Sequence, residues 1–131
     1  MKIITGGRYN GKKEYVTDTL GYRAEDILDM SSDDPMRIAE RLDDHAVLYR
    51  LESFVYNAVK NGMDPCRPIL DHIDKNPDTV IVCDETGCGI IPGDKDQERS
   101  REITGRLMCE LTKRAGSLIR IYNGIAEELK I

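Results

Sequence analysis

Lys2-Ile3-Ile4-Thr5-Gly6-Gly7-Arg8-Tyr9-Asn10-Gly11-Lys12-Lys13 is the stretch whose reading decides the fold. Lys2 to Thr5 reads as a short strand that runs directly into glycines. Gly6, four intervening residues, Gly11 and Lys12 then follow the spacing of a P-loop. The chemistry accounts for that spacing. Glycines let backbone N–H groups turn toward one anion. The helix that follows adds the positive end of its dipole, and the lysine reaches the outer phosphates. Gly6, Gly7, Arg8, Tyr9, Asn10, Gly11, Lys12 and Lys13 are therefore the candidate nucleotide-phosphate contacts. Lys12 is also the candidate for stabilising charge in a transfer reaction. The competing reading is a glycine-rich strand-to-helix turn that binds nothing.

Outward from this stretch, short apolar runs alternate with amphipathic ones, which predicts α/β with a parallel sheet. A helix is expected from Gly11 to Leu20, stopped by Gly21. Glu25 to Met30 is a weak strand because of its acids. Asp33, Asp34 and Pro35 open a helix to about Leu42. Ala46 to Leu51 is a strand and Ser53 to Lys60 a helix, stopped by Asn61-Gly62. Pro65 and Pro68 open a further helix. Thr79 to Cys83 reads as a strand buried on both faces. Gly87, Gly89 and Pro92 shape a loop from Asp84 to Gly93. The longest helix spans about Asp96 to Arg114, Ser117 to Tyr122 is a strand, and the tail from Ile125 is read as a short helix. The expected architecture is a P-loop NTPase-like three-layer sandwich, one domain over residues 1–131, with a mainly parallel sheet of about five strands.

The bulk numbers fit that architecture. A chain of 131 residues, 40% hydrophobic and 33% charged, suits one soluble domain with one core. The net charge of −5 argues against a nucleic-acid-coating protein, though Arg8, Lys12 and Lys13 make a local basic site. No apolar run reaches membrane-span length and the start does not read as a signal peptide, so a cytoplasmic location is expected. Cys66, Cys83, Cys88 and Cys109 form no CxxC pair, and neither His45 nor His72 stands at ligand spacing from them. They read as reduced, mostly buried thiols.

Val80-Ile81-Val82-Cys83-Asp84-Glu85 is the second feature with chemistry. An apolar strand ending in Asp-Glu matches a Walker B element, with Asp84 as the Mg²⁺ residue and Glu85 orienting a nucleophile as catalytic base. In a parallel sheet its end and the P-loop share one edge. The plain alternative is a solvated acidic turn. One position departs from the P-loop pattern. The residue after Lys12 is Lys13, not the Ser or Thr whose hydroxyl ligates Mg²⁺, and an ammonium cannot ligate a metal. Lys13 either contacts phosphate directly or points to solvent.

These motifs resemble the bifunctional adenosylcobinamide kinase/adenosylcobinamide-phosphate guanylyltransferase family of cobalamin biosynthesis, as a shortened and divergent member. The residues that carry the resemblance are Thr5 to Lys13, Asp84-Glu85-Thr86-Gly87-Cys88-Gly89-Ile90-Ile91-Pro92, Arg99, Gly105-Arg106-Leu107, and Ile119 through Ile125. The likeness covers the first 20 residues and roughly 46 to the end. It implies GTP or ATP as ligand, a corrinoid substrate and a homo-oligomer. Three places depart from the family. Lys13 replaces the P-loop hydroxyl. Glu40 and Arg41 stand where the family's histidines lie, one of which becomes guanylylated, and His45 reads as an ordinary loop residue. Arg50 replaces an acid at the end of the third strand, where it is free to bind phosphate, to pair with Asp84 or Glu85, or to pair with Glu52.

Three functions follow as expectations. The first is a cobinamide-type kinase using Lys12, Asp84 and Glu85, with guanylyl transfer lost. The second is a nucleotide-binding module without chemistry. The third is an interaction protein whose loop holds no ligand.

Overall fold

The computed structural model describes residues 1–85 and 94–130. Six strands form one sheet in the order β2-β3-β4-β1-β5-β6. They are β1 (Lys2–Gly6), β2 (Ile27–Asp29), β3 (Val47–Tyr49), β4 (Val80–Asp84), β5 (Ser117–Tyr122) and β6 (Ile125–Lys130). The first five run parallel, and β6 pairs antiparallel with β5. The helices are α1 (Lys12–Glu14), α2 (Pro35–Arg41), α3 (Leu51–Lys60), α4 (Cys66–Lys75) and α5 (Lys95–Arg114). The α/β class and the mostly parallel sheet follow the sequence reading, with six strands where about five were expected. Elements cover both sheet faces, an arrangement compatible with a three-layer sandwich.

Local sequence explains most boundaries. Asp34 caps α2 through Met36 N–H at 2.8 Å, with Pro35 in the first turn. Asp94 caps α5 through Gln97 N–H at 3.0 Å. Glu25 and Asp26, the acids that weakened the second strand, lie in a 3₁₀ turn just before it. The predicted helix from Gly11 to Leu20 is helical from Lys12 to Thr19, but α-helical only through Glu14. Tyr15–Thr19 then widens into a π turn, with Leu20 N–H donating to Tyr15 O at 3.0 Å.

The tail corrects the sequence reading, because Ile125–Lys130 is strand and not helix. Asn123 and Gly124 both take positive φ, 49° and 78°. That is the two-residue hairpin turn for which Asn-Gly is the favoured pair. The turn sets Tyr122 opposite Ile125 and the chain returns along β5.

Each inner strand divides its side chains between two cores. Ile3, Leu48 and Ile81 join Phe54, Leu107 and Leu111 on one face. Ile4, Val47, Val80 and Val82 join Val16, Ile119 and Ile121 on the other. These residues are essentially sealed from water, each contributing about 1.5–3 kcal/mol by burial. Of the cysteines, Cys83 is buried, Cys66 half-buried and Cys109 exposed. The expectation of mostly buried thiols is thus corrected, since Cys109 lies on the side of α5 away from Leu107 and Leu111. Cys88, with the Gly87, Gly89 and Pro92 loop, lies outside the described residues.

One polar network holds α4 to the chain before β3. His72 is buried, yet both ring nitrogens are bonded. Nδ1 lies 2.7 Å from Asp43 Oδ1 and Nε2 lies 3.0 Å from Thr79 Oγ1. The Thr79 hydroxyl donates its one proton to Asn76 O at 2.8 Å, so it accepts from Nε2. Hydrogen bonding from His72 holds the Asp43 carboxyl below its usual value. A lowered folded value stabilises above the unfolded one and is lost as pH falls through the folded one. Melting temperature is therefore expected to fall more steeply below about pH 4 in the wild type than in Asp43→Asn. Parallel melting curves for the two proteins from pH 7 to 3 would refute this.

Candidate functional site

The register of the sheet brings the candidate residues together. Gly6 pairs with Asp84 at the carboxyl ends of β1 and β4, and Glu85 N–H donates to Gly6 O at 2.9 Å. This is also where chain connections diverge: β1 leads out to β2 on one side, and β4 leads over β1 to β5 on the other. Ligand sites of open α/β sheets lie at such points.

The loop is held from behind. Asn10 O accepts from Gly124 N–H at 2.9 Å, and Asn10 Oδ1 accepts from Asn123 N–H at 3.3 Å. The β5–β6 turn thus braces the loop. Gly11 needs its glycine, with φ 95° and Gly124 Cα only 3.3 Å from where a Cβ would stand.

Lys12 is 4% exposed. Its Nζ donates to Gly7 O at 2.6 Å and lies 2.7 Å from Asp84 Oδ1. Arg8 approaches the other oxygen of Asp84 at 3.9 Å. Behind Asp84, its N–H donates to Glu52 Oε1 at 2.8 Å, while Glu52 Oε2 accepts from Ser53 N–H at 2.8 Å. Glu52 therefore ties the end of β4 to the start of α3. Burial, foremost, pushes the Cys83 thiol far up, so it stays protonated beneath this site.

Two further cations gather at Tyr49, the last residue of β3. Lys13 Nζ lies 5.8 Å and Arg50 Cζ 5.5 Å from the ring centroid, within cation–π range. Arg50 has φ 67° and ψ 55°, the left-handed region that a residue other than glycine enters at a cost. That conformation costs about 1–2 kcal/mol. It turns the chain from β3 into α3 and leaves Arg50 at the cleft. Of its expected partners, Glu52 is taken by Ser53 and Asp84 N–H, and Glu85 by Arg120.

A cleft of about 230 Å³ results, lined by Arg8, Tyr9, Gly11, Lys12, Lys13, Glu14, Tyr49, Arg50 and Asp84. Four lining residues are cationic and two are acidic, in a chain of net charge −5. The volume falls below the roughly 300–1,000 Å³ of a drug-sized ligand pocket, which suits a phosphate chain better than a whole nucleotide. A larger hollow of about 640 Å³ lies along α5, but Glu98, Arg101, Glu102, Arg106, Glu110 and Lys113 make it a charge-balanced helix face.

Of the predicted site residues, Arg8, Tyr9, Gly11, Lys12, Lys13 and Asp84 line the cleft, and Gly6, Gly7 and Asn10 shape the loop behind it. Glu85 does not line it. Its carboxylate is bound by Arg120, at 2.7 Å to Nε and 3.3 Å to Nη2, and this pairing raises the guanidinium pKa. Glu40, Arg41 and His45 precede β3, so they lie toward the opposite edge of the sheet; His45 Nδ1 sits 2.9 Å from Arg41 O. Tyr49, Glu52, Arg120 and the Asn123-Gly124 brace are the residues sequence reasoning missed.

Mg²⁺ requires octahedral oxygen ligands. Here the Lys13 ammonium stands in place of a hydroxyl, and Asp84 faces Lys12 and Arg8. Among the described residues no three acidic, histidine or cysteine side chains converge. With the loop hydroxyl absent, Asp84 and Glu14 are the acidic side chains that line the cleft. No helix among the described residues is long and apolar enough to cross a membrane.

No protein-family model matches the chain, and no curated protein matches it. The geometry alone carries the functional reading.

Proposed function

We propose that this protein binds the phosphate chain of a nucleotide, ATP or GTP, in the cleft at the head of α1. The observation that carries the reading is Lys12. Its ammonium is buried at the end of a glycine-rich loop, held between Gly7 O and Asp84. Three other cations border the same small cleft. An incoming phosphate replaces Asp84 as the partner of Lys12 and meets the surrounding positive charge. The test is thermal unfolding with millimolar ATP, GTP, ADP and GDP. At a hundredfold excess over Kd, binding adds about 2.7 kcal/mol and raises Tm by several degrees. Unchanged melting with all four nucleotides would remove the reading.

A cobinamide-type kinase of cobalamin biosynthesis is the second reading, suggested by the family resemblance. The meeting of Lys12 with Asp84 beside the loop favours it. The pairing of Glu85 with Arg120 opposes it, because that carboxylate has to be freed before it can act as a base. Cobinamide is the acceptor to offer with ATP or GTP, in Mg²⁺ or Mn²⁺, and a homo-oligomer is the assembly to look for. Nucleotide binding without product under all of these conditions would leave a non-catalytic binding module.

A further inference from the structure

We infer that the cleft takes its nucleotide in metal-free form, with Lys13 and Arg50 supplying the two positive charges that a divalent ion otherwise brings. This rests on the phosphate-binding reading above and specifies the ionic form of the ligand.

The charge count comes first. A nucleotide polyphosphate stripped of Mg²⁺ carries two more negative charges than its complex. Four cations line the cleft against the two acids Asp84 and Glu14, a surplus of two positive charges, and Lys13 and Arg50 are the cations that form no ion pair with Asp84. Lys13 is exposed and Arg50 half-buried. Lys13 is fixed in the first turn of α1 and Arg50 at the end of β3, and both come to the same Tyr49 ring. The ring holds them at the cleft without neutralising them, as a carboxylate would.

The local conformation agrees. Arg50 occupies a left-handed backbone position that glycine fills more easily. That position sets the Arg50 side chain at the cleft at a cost in backbone strain.

The ion itself is disfavoured in two ways. Its usual hydroxyl ligand is replaced by the Lys13 ammonium. A Mg²⁺ brought in on the nucleotide also meets the like charges of Lys13 and Arg50. Added Mg²⁺ therefore acts as a competitor, by removing the free nucleotide that the cleft selects.

Isothermal titration of the full chain with ATP, GTP, ADP and GDP, in EDTA and then in excess Mg²⁺, tests this. Binding is expected in EDTA, with affinity for the triphosphates reduced about tenfold by Mg²⁺. Arg50→Gly keeps the backbone conformation and removes one charge; Lys13→Ser removes the other and restores the hydroxyl. Each is expected to weaken binding in EDTA about tenfold, and Lys13→Ser to reverse the effect of Mg²⁺. Binding that requires or tightens with Mg²⁺ overturns the inference and leaves the phosphate site standing. Variants that bind in EDTA as tightly as wild type overturn it too. Absence of binding in both buffers removes the inference together with the phosphate reading.

Discussion

Lys12→Ala weakens nucleotide binding by about thirtyfold or more. The wild-type ammonium is nearly sealed from water and already bonded to the loop, so little freedom is lost when phosphate arrives. Truncating one partner of a buried, hydrogen-bonded charge pair costs about 2–5 kcal/mol, and each 1.4 kcal/mol is about tenfold in Kd. The substitution also leaves Asp84 with only Arg8, at 3.9 Å, to offset its charge beside an incoming phosphate. Lys12→Met keeps most of the buried stem and removes only the charge, so it separates lost binding from lost folding. Both variants are expected to lose affinity in calorimetry. Unchanged affinity in a folded Lys12→Met protein would mean that the lysine is structural and the loop holds no phosphate.

Gly6→Ala carries the largest expected loss of stability. Gly6 has φ 146°, and a Cβ built there would stand 2.3 Å from Ile121 O. The obstacle is the backbone of the neighbouring strand β5, which cannot rotate aside like a side chain. β1 must move away from β5 or twist out of its left-handed geometry. Backbone strain of this kind costs about 1–3 kcal/mol, and the clash adds to it. A total of about 3 kcal/mol lowers Tm by roughly 10 °C in a domain of this size. Gly105→Ala is the contrast. It sits within α5 with nothing within 4 Å of its Cβ position, so it is expected to stabilise by about 0.5–1 kcal/mol. Equal Tm values for the two variants would contradict this account of the β1–β5 approach.

The parts of the fold legible in the sequence are those written in local chemistry. β4 is a run of buried β-branched residues. α2 has its Asp cap and proline, and α5 shows four-residue apolar spacing. The missed strand β6 was also written locally, in Asn123-Gly124 between Tyr122 and Ile125. Ala126, Glu127 and Glu128 favour a helix on propensity, and pairing with β5 overrides that preference. The π turn after Glu14 had no comparable signal.

The site divides in the same manner. Lys12 and Asp84 were legible because each closes a short motif, and the register of β1 with β4 brings the two motifs together. Tyr49 and Arg50 come from β3, and Arg120 from β5. Their contacts depend on strand order, which no local pattern encodes. Glu85 shows the consequence: its position beside Asp84 marks it as a base, while the cation that binds it lies 35 residues away.

The most direct measurement is a nitrogen–proton correlation titration of the wild-type chain with GDP in EDTA. The account predicts saturable shifts at the amides of Gly7 to Lys13, at Asp84 and at Arg50, with α5 largely still. Amides that do not move at millimolar GDP, or shifts confined to α5, would contradict it.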